Sequence, residues 1–376
     1  MSSYDAYRTQ VDDCLRNNRL TISMPAEERA SIISKLRYPE TSIELYQYRR
    51  CNEFSFNDFL QNKITLVHPK YFNDCFEVMP YINLEKFVGA FRQFDLETAK
   101  KYVEIANTRN FTPEEIKEMG GNNTAYILKV FSTVLKENNA EKFFYERFKE
   151  IQNYGMMQMA SLLNQICHSM QDGTRIACFS ECYDSPIMWG HYADSGKGFC
   201  VQHSFPVMLN MTICPVDGNG KCEQSDSCIK ENCIKSGNNW LLPVVYSSER
   251  PDFMENWSEQ LIQAAFMLMG LDADLANYDI LSPLKFSCYK SSDWAYEHEW
   301  RWIRTLCSKE IPDFSSISVG KIRGLYLGEH ISREHENILR EYASRHKLSD
   351  GTNIPIYKME RSFCINQYKL LAKQIL

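Results

Sequence analysis

The spacing of apolar and polar residues divides the chain into stretches of different period. Residues 3–18 and 25–36 carry the pattern of short amphipathic helices. The second opens with Pro25 at a first-turn position, with Glu27 and Glu28 favourable to its dipole. Ile43 to Arg49 alternates as a strand does, a helix is predicted over Glu53–Gln61, and Ile64–Val67 predicts a second strand. From about residue 82 to 170 the pattern turns helical: Leu84 to Ala106, a start signal at Thr112-Pro113-Glu114-Glu115, then periodic apolar residues through Ile166.

Strands return at Ile176–Phe179, Gly198–Gln202, Leu242–Tyr246, Trp300–Arg304 and Gly324–Gly328, with a last one near Ile354–Met359. Helices are predicted over Pro186–Ala193, 255–276 and Ser332–His346. The order implies N-terminal helices (1–42), a first part of an α/β core (43–81), a helical insertion (82–170) and the rest of the core (171–376). The fold class expected is α+β with a twisted, mainly antiparallel split sheet.

At 376 residues the chain is long enough for one elaborated domain or two intimate ones. A balance of 42 basic against 48 acidic side chains argues against a protein that wraps nucleic acid by counterion release. The longest apolar run, around Leu261 to Leu271, falls well short of the roughly 20 residues that a bilayer crossing needs. Met1 to Asp5 lacks the basic start and apolar stretch of a secretory signal, so no membrane association and a cytoplasmic location are expected.

Among fourteen cysteines, most, such as Cys178 and Cys200, sit singly in apolar segments and read as buried free thiols. Cys214, Cys222, Cys228 and Cys233 are different: four thiols in a loop rich in Gly, Asp, Asn and Ser. Their spacing differs from the paired two-residue spacers of common zinc modules, and free thiols, a structural zinc and disulfides are all open readings.

The run Trp294 to Arg304 holds the most chemistry. Read as a strand, it puts Glu297, Glu299, Arg301 and Ile303 on one face and His298, Trp300, Trp302 and Arg304 on the other. The tryptophan side is the natural core side, which turns two neighbouring carboxylates towards a cleft or solvent. Their adjacency would raise the proton affinity of one, suiting acid/base work or stabilisation of a cation. The plainer reading is a solvated face with an ion pair to Arg301. Arg49 and Arg50 end the first strand, and guanidinium groups suit phosphate or carboxylate. Ser185-Pro186 caps a short helix that presents His191 and Tyr192 as a polar, aromatic ledge. No Walker or dinucleotide-binding glycine pattern is present in Asp194–Gly198.

Several segments together resemble the bacterial family known as domain of unknown function 2971. They are Leu45–Arg49, Phe72-Asn73-Asp74, Cys178–Glu181, Met188–Ala193, Gly198–Cys200, Trp294 with Tyr296–Arg301, and Leu325–Gly328. Cys75 stands where that family pattern has proline. In order of elements the chain is also similar to ADP-ribosyltransferases, particularly toxins that modify DNA. This second resemblance implies an enzyme that cleaves NAD, of the toxin or phage-defence kind, with nucleic acid or protein as acceptor. Glu299 would stabilise the ribosyl cation and Glu297 would assist. Arg49, followed by Arg50, would clamp pyrophosphate, while Ser180, His191 and Tyr192 would line the nucleotide site.

Two other classes fit the residues. One is a metal-dependent nuclease or phosphoesterase using His191, Asp194, Glu297, His298 and Glu299. The other is a non-catalytic protein whose cleft binds a small molecule or a partner. It is favoured if Arg49 and Glu299 lie apart, whereas the NAD reading requires both to face one open pocket.

Overall fold

The structure is a computed structural model, and it describes residues 3–21, 23–79, 95–119, 167–206, 238–252, 279–305, 312–318 and 320–376, together with short pieces between them. Its strands are β1 (Ser42–Arg49), β2 (Ile64–Val67), β3 (Thr174–Ser180), β4 (Phe199–Pro206), β5 (Met211–Thr212), β6 (Asn238–Pro243), β7 (Val245–Ser247), β8 (Tyr289–Ser291), β9 (Glu299–Thr305), β10 (Phe314–Ile317), β11 (Lys321–Leu327), β12 (Ile356–Glu360) and β13 (Leu371–Gln374). The helices are α1 (Ser3–Asn17), α2 (Ala26–Lys35), α3 (Glu53–Leu60), α4 (Leu96–Thr108), α5 (Pro113–Glu118), α6 (Pro186–His191), α7 (Ser282–Ser287) and α8 (Arg333–Ala343).

All strands but β7 and β8 form one eleven-stranded sheet, ordered β13-β12-β11-β4-β1-β3-β9-β6-β5. The sheet forks at β3. Ser180 at one end of β3 pairs with Tyr46 of β1, while Ile176 pairs with Val67 of β2, which also carries β10. Pairing is antiparallel throughout except between β11 and β12. The fold is therefore mixed α and β with a mostly antiparallel sheet.

Directly opposed residues of an antiparallel pair share a face, so the register sorts the side chains. Tyr46, Ser180 and Glu299 lie in a row on one face. Phe179 and Trp300 pair on the other. That second face is covered by α1, α2 and the segment after α2: the rings of Tyr4 and Tyr7 from α1 and of Tyr38 from that segment stand within 5.2–5.8 Å of the Trp300 ring. Arg8 fastens α1 across the sheet through Glu181 at 2.6 Å and the Val244 carbonyl at 2.8 Å. The N-terminal helices are thus part of the main core. Towards the other end of the sheet, α3 and α8 cover the same face with Phe59, Leu339 and Ala343 against Phe199, Val201, Leu325 and Ile356.

Local signals account for most of the boundaries. Asn52 caps α3 through Ser55 N–H, and Thr112 with Glu115 forms a reciprocal capping box on α5. Gly198 is required by a close approach, because a Cβ there would stand 2.1 Å from the Arg49 carbonyl. One expected strand is in fact two. Leu242–Tyr246 breaks after Pro243, which has no N–H to donate to the ladder. Val244 then turns the chain, and β7 pairs with β8 in a separate parallel ribbon. The short strands β10 and β13, which lack a clear alternation, were not expected. Of the stretch 82–170, α4, α5 and the helical residues 167–170 at its end are described. The predicted 255–276 helix and Cys214, Cys222, Cys228 and Cys233 lie outside the described residues.

Candidate functional site

Glu297 and Glu299 come together, by a different route from a continuous strand. Residues Ser292–Glu297 form a 3-10 turn, His298 takes a left-handed backbone (φ 45°), and β9 begins at Glu299. The turn brings the two carboxylates to one cation: Lys290 Nζ donates to Glu297 at 2.6 Å and to Glu299 at 3.3 Å. Ser180 secures the turn, its hydroxyl donating to the Glu297 carbonyl at 2.7 Å and accepting from Cys182 N–H.

Contrary to the sequence expectation, neither glutamate faces open solvent. Glu297 is 3% exposed and Glu299 4% exposed. The tryptophan face is buried under α1 and α2, but this face is covered as well, by residues 72–79, α7 and β8. Arg301 is fully enclosed and donates through Nε to Glu299 at 2.8 Å. Its other end grips both oxygens of Glu77, with Nη2 to Oε2 at 2.9 Å, and Nη1 also donates to the Ser287 carbonyl. The result is a continuous network, Glu77–Arg301–Glu299–Lys290–Glu297, that joins the loop at Glu77 to the contiguous stretch of β8, the 3-10 turn and β9.

The network separates the two carboxyls electrostatically. Burial opposes ionisation of Glu299, but the charges of Arg301 and Lys290 outweigh it and bring the carboxyl down to about 2. Glu297 is pushed up, first by burial and then by the neighbouring charge of Glu299. Burial also raises Glu77. Tyr192 caps the outer end, its hydroxyl donating to Glu297 Oε1 at 2.5 Å and accepting from Asn73 Nδ2 at 3.1 Å. His191 is exposed beside it, with Nδ1 3.2 Å from the Tyr296 hydroxyl. Ser180, Tyr192, Glu297 and Glu299 are therefore one constellation, with His191 at its edge.

Arg49 is not part of it. Tyr46 shares a face with Glu299 and strand residues alternate, so Arg49 projects from the opposite face of the sheet. There it pairs with Asp58 at 3.2 Å and donates to Gln47, enclosed with His203 and Phe199. Arg50 is exposed just beyond the strand end. The expected pyrophosphate clamp opposite Glu299 is thereby overturned: register, which the sequence does not display, decides the face.

The ligand set drawn for a nuclease is not assembled either. His298 turns towards Glu181, 3.9 Å away, and Asp194 is exposed in a turn after α6. Among the described residues no three His, Cys, Asp or Glu side chains converge as a metal site.

Open space lies next to the network. A cleft of about 330 Å³ reaches Lys290 and is walled by Phe76, Met79, Tyr81, Arg250 and Tyr289. Phe76 and Met79 flank Val78, a buried β-branched residue in the left-handed region (φ 51°). The bidentate grip of Arg301 on the adjacent Glu77 fixes this wall. Glu77, Lys290 and Arg250 were missed from the sequence. Glu77 follows the Phe72-Asn73-Asp74 segment closely, but nothing local marks a carboxylate that pairs 224 residues away.

A family model described as "Protein of unknown function (DUF2971)" matches residues 188–302. The matched segment begins within α6, contains Glu297, Glu299 and Arg301 and ends within β9. None of the curated proteins and none of the solved structures match the chain. No described helix is long and apolar enough to cross a membrane.

Proposed function

We propose that this protein binds a small molecule in the cleft beside the ion network, and that the network is the cleft's frame rather than its reaction centre. One observation carries this reading. Every charged group of the Glu-x-Glu-x-Arg run is consumed by internal partners, while the open volume lies alongside and, among the described residues, meets the ion network through Lys290 alone. A volume of this size, with mixed apolar and polar walls, suits a small ligand. Titration with the neutral fluorophore N-phenyl-1-naphthylamine tests it. Saturable one-to-one binding, lost when Met79→Trp fills the cleft, supports the proposal; no saturation, or binding indifferent to that change, removes it.

An NAD-cleaving transferase is the second reading: the shared pocket for Arg49 and Glu299 that it required is not formed, and the cross-strand row of Tyr46, Ser180 and Glu299 is what remains in its favour. That row uses strands in the places the resemblance to ADP-ribosyltransferases implies. With Glu299 enclosed and Arg49 on the far face, the candidate for stabilising the ribosyl cation becomes Glu297, which Tyr192 caps at the outer edge. Incubation with NAD labelled in nicotinamide decides it. Release that disappears in Glu297→Gln favours this reading, and absence of release ends it.

A further inference from the structure

The cleft wall contains a cation with no ionic partner among the described residues. Arg250 is exposed, and its guanidinium carbon stands 4.9 Å from the Phe76 ring centroid and 5.6 Å from that of Tyr81. Two rings thus hold the planar group by cation–π contact and restrict its orientation. Its described hydrogen bond is a long one, Nη1 to the Met79 carbonyl at 3.4 Å. A guanidinium has five N–H donors in a fixed fork, so most of the donor capacity of this cleft-lining residue is left for a ligand.

The other two cations at the cleft are already neutralised. Lys285 pairs with Asp279 at 2.9 Å, and Lys290 is shared by Glu297 and Glu299. Two carboxylates also line it, Asp74 and Glu249. One oxygen of Asp74 accepts the Phe76 N–H. The charges therefore favour an anion at the arginine and disfavour a ligand with negative charge along its whole length. Phe76, Met79 and Tyr81 are 54%, 38% and 38% exposed, an apolar surface beside the cation.

We infer that the cleft takes a ligand with a single oxyanion, carboxylate or phosphate, carried on a flat or apolar body, and that Arg250 determines this specificity. The inference rests on the cleft-binding reading above. Planar guanidinium groups recognise both oxyanions in a two-pronged fashion, so the shared chemistry is an oxygen pair bearing one charge.

Two probes that differ by one sulfonate group test it: N-phenyl-1-naphthylamine and its sulfonate, 8-anilino-1-naphthalenesulfonate. Wild type should bind the sulfonate about tenfold more tightly than the neutral parent, the ratio expected of one well-placed charge-assisted contact. Arg250→Gln, a change on an exposed side chain, should bring that ratio to about one, whatever its effect on the affinity common to both probes. Displacement of the sulfonate by 2-naphthoate or by 2-naphthyl phosphate then tells carboxylate from phosphate. Equal affinity of wild type for both probes, or a ratio that survives Arg250→Gln, overturns the anion inference and leaves the cleft reading intact. Binding of neither probe takes down the cleft reading and the inference together.

Discussion

Arg301 and Glu77 form a bidentate ion pair between the inner face of β9 and a loop 224 residues earlier in the chain, both side chains buried. The pair ties the wall of the cleft to the centre of the sheet. Because the same guanidinium also holds Glu299, the most conspicuous charged motif in the sequence is held inside the fold, beside the cleft proposed for recognition.

Removing one partner of such a pair leaves an uncompensated charge in the interior, at a cost of about 3–5 kcal/mol. Arg301→Met should therefore lower the unfolding free energy by that order, seen as a fall in the urea midpoint at unchanged slope. A change below about 1 kcal/mol would contradict the enclosure of the network.

Acid and neutral pH should separate the two glutamates in opposite senses. Glu299 has a folded value near 2 against an ordinary 4.5, so its contribution is full above 4.5 and is lost as pH falls towards 2. The deficit of Glu299→Gln should accordingly grow as pH rises from about 2 to 4.5. Glu297 is raised, so its ionised form opposes folding above 4.5. Glu297→Gln should gain on wild type as pH rises beyond 4.5. Urea unfolding of both variants across pH 2–8 checks the two signs, and parallel profiles would refute them.

Arg49 should matter for stability and not for the cleft. Asp58 is 5% exposed and takes Arg49 and the Thr65 hydroxyl as its partners. Arg49→Met should cost on the order of 3 kcal/mol, and its effect should couple to that of Asp58→Asn in a double-mutant cycle. Probe affinity should be unchanged. A specific loss of affinity in a folded Arg49→Met protein would restore the clamp.

Trp300, fully buried against Tyr4, Tyr7 and Tyr38, makes α1 and α2 integral to the core. Trp300→Ala should cost about 3–5 kcal/mol. A calorimetric scan showing the N-terminal helices melting apart from the sheet would contradict this.

Much of the fold was legible because it is written locally. Ile43–Arg49 alternates as half of a buried strand must, and Ser185-Pro186 and Thr112 with Glu115 mark helix starts where the structure has them. The site was legible only as composition. The meeting of Glu297 and Glu299 follows from the left-handed backbone at His298, a conformation that nothing in Tyr296–Trp300 announces. The strand pattern of β1 did separate Tyr46 and Tyr48 from Arg49. Which of these sides meets Glu299 is set by pairing through β3, between residues more than 100 positions apart. The same holds for Glu77 and Arg250, whose partners are supplied by distant segments.

The most direct test of the central claim compares probe affinity across three folded variants at neutral pH. The account requires Met79→Trp to abolish binding of 8-anilino-1-naphthalenesulfonate, while Glu297→Gln and Glu299→Gln bind within about twofold of wild type. Loss of binding in the glutamate variants with retention in Met79→Trp would show that the carboxylates, and not the cleft, form the functional site.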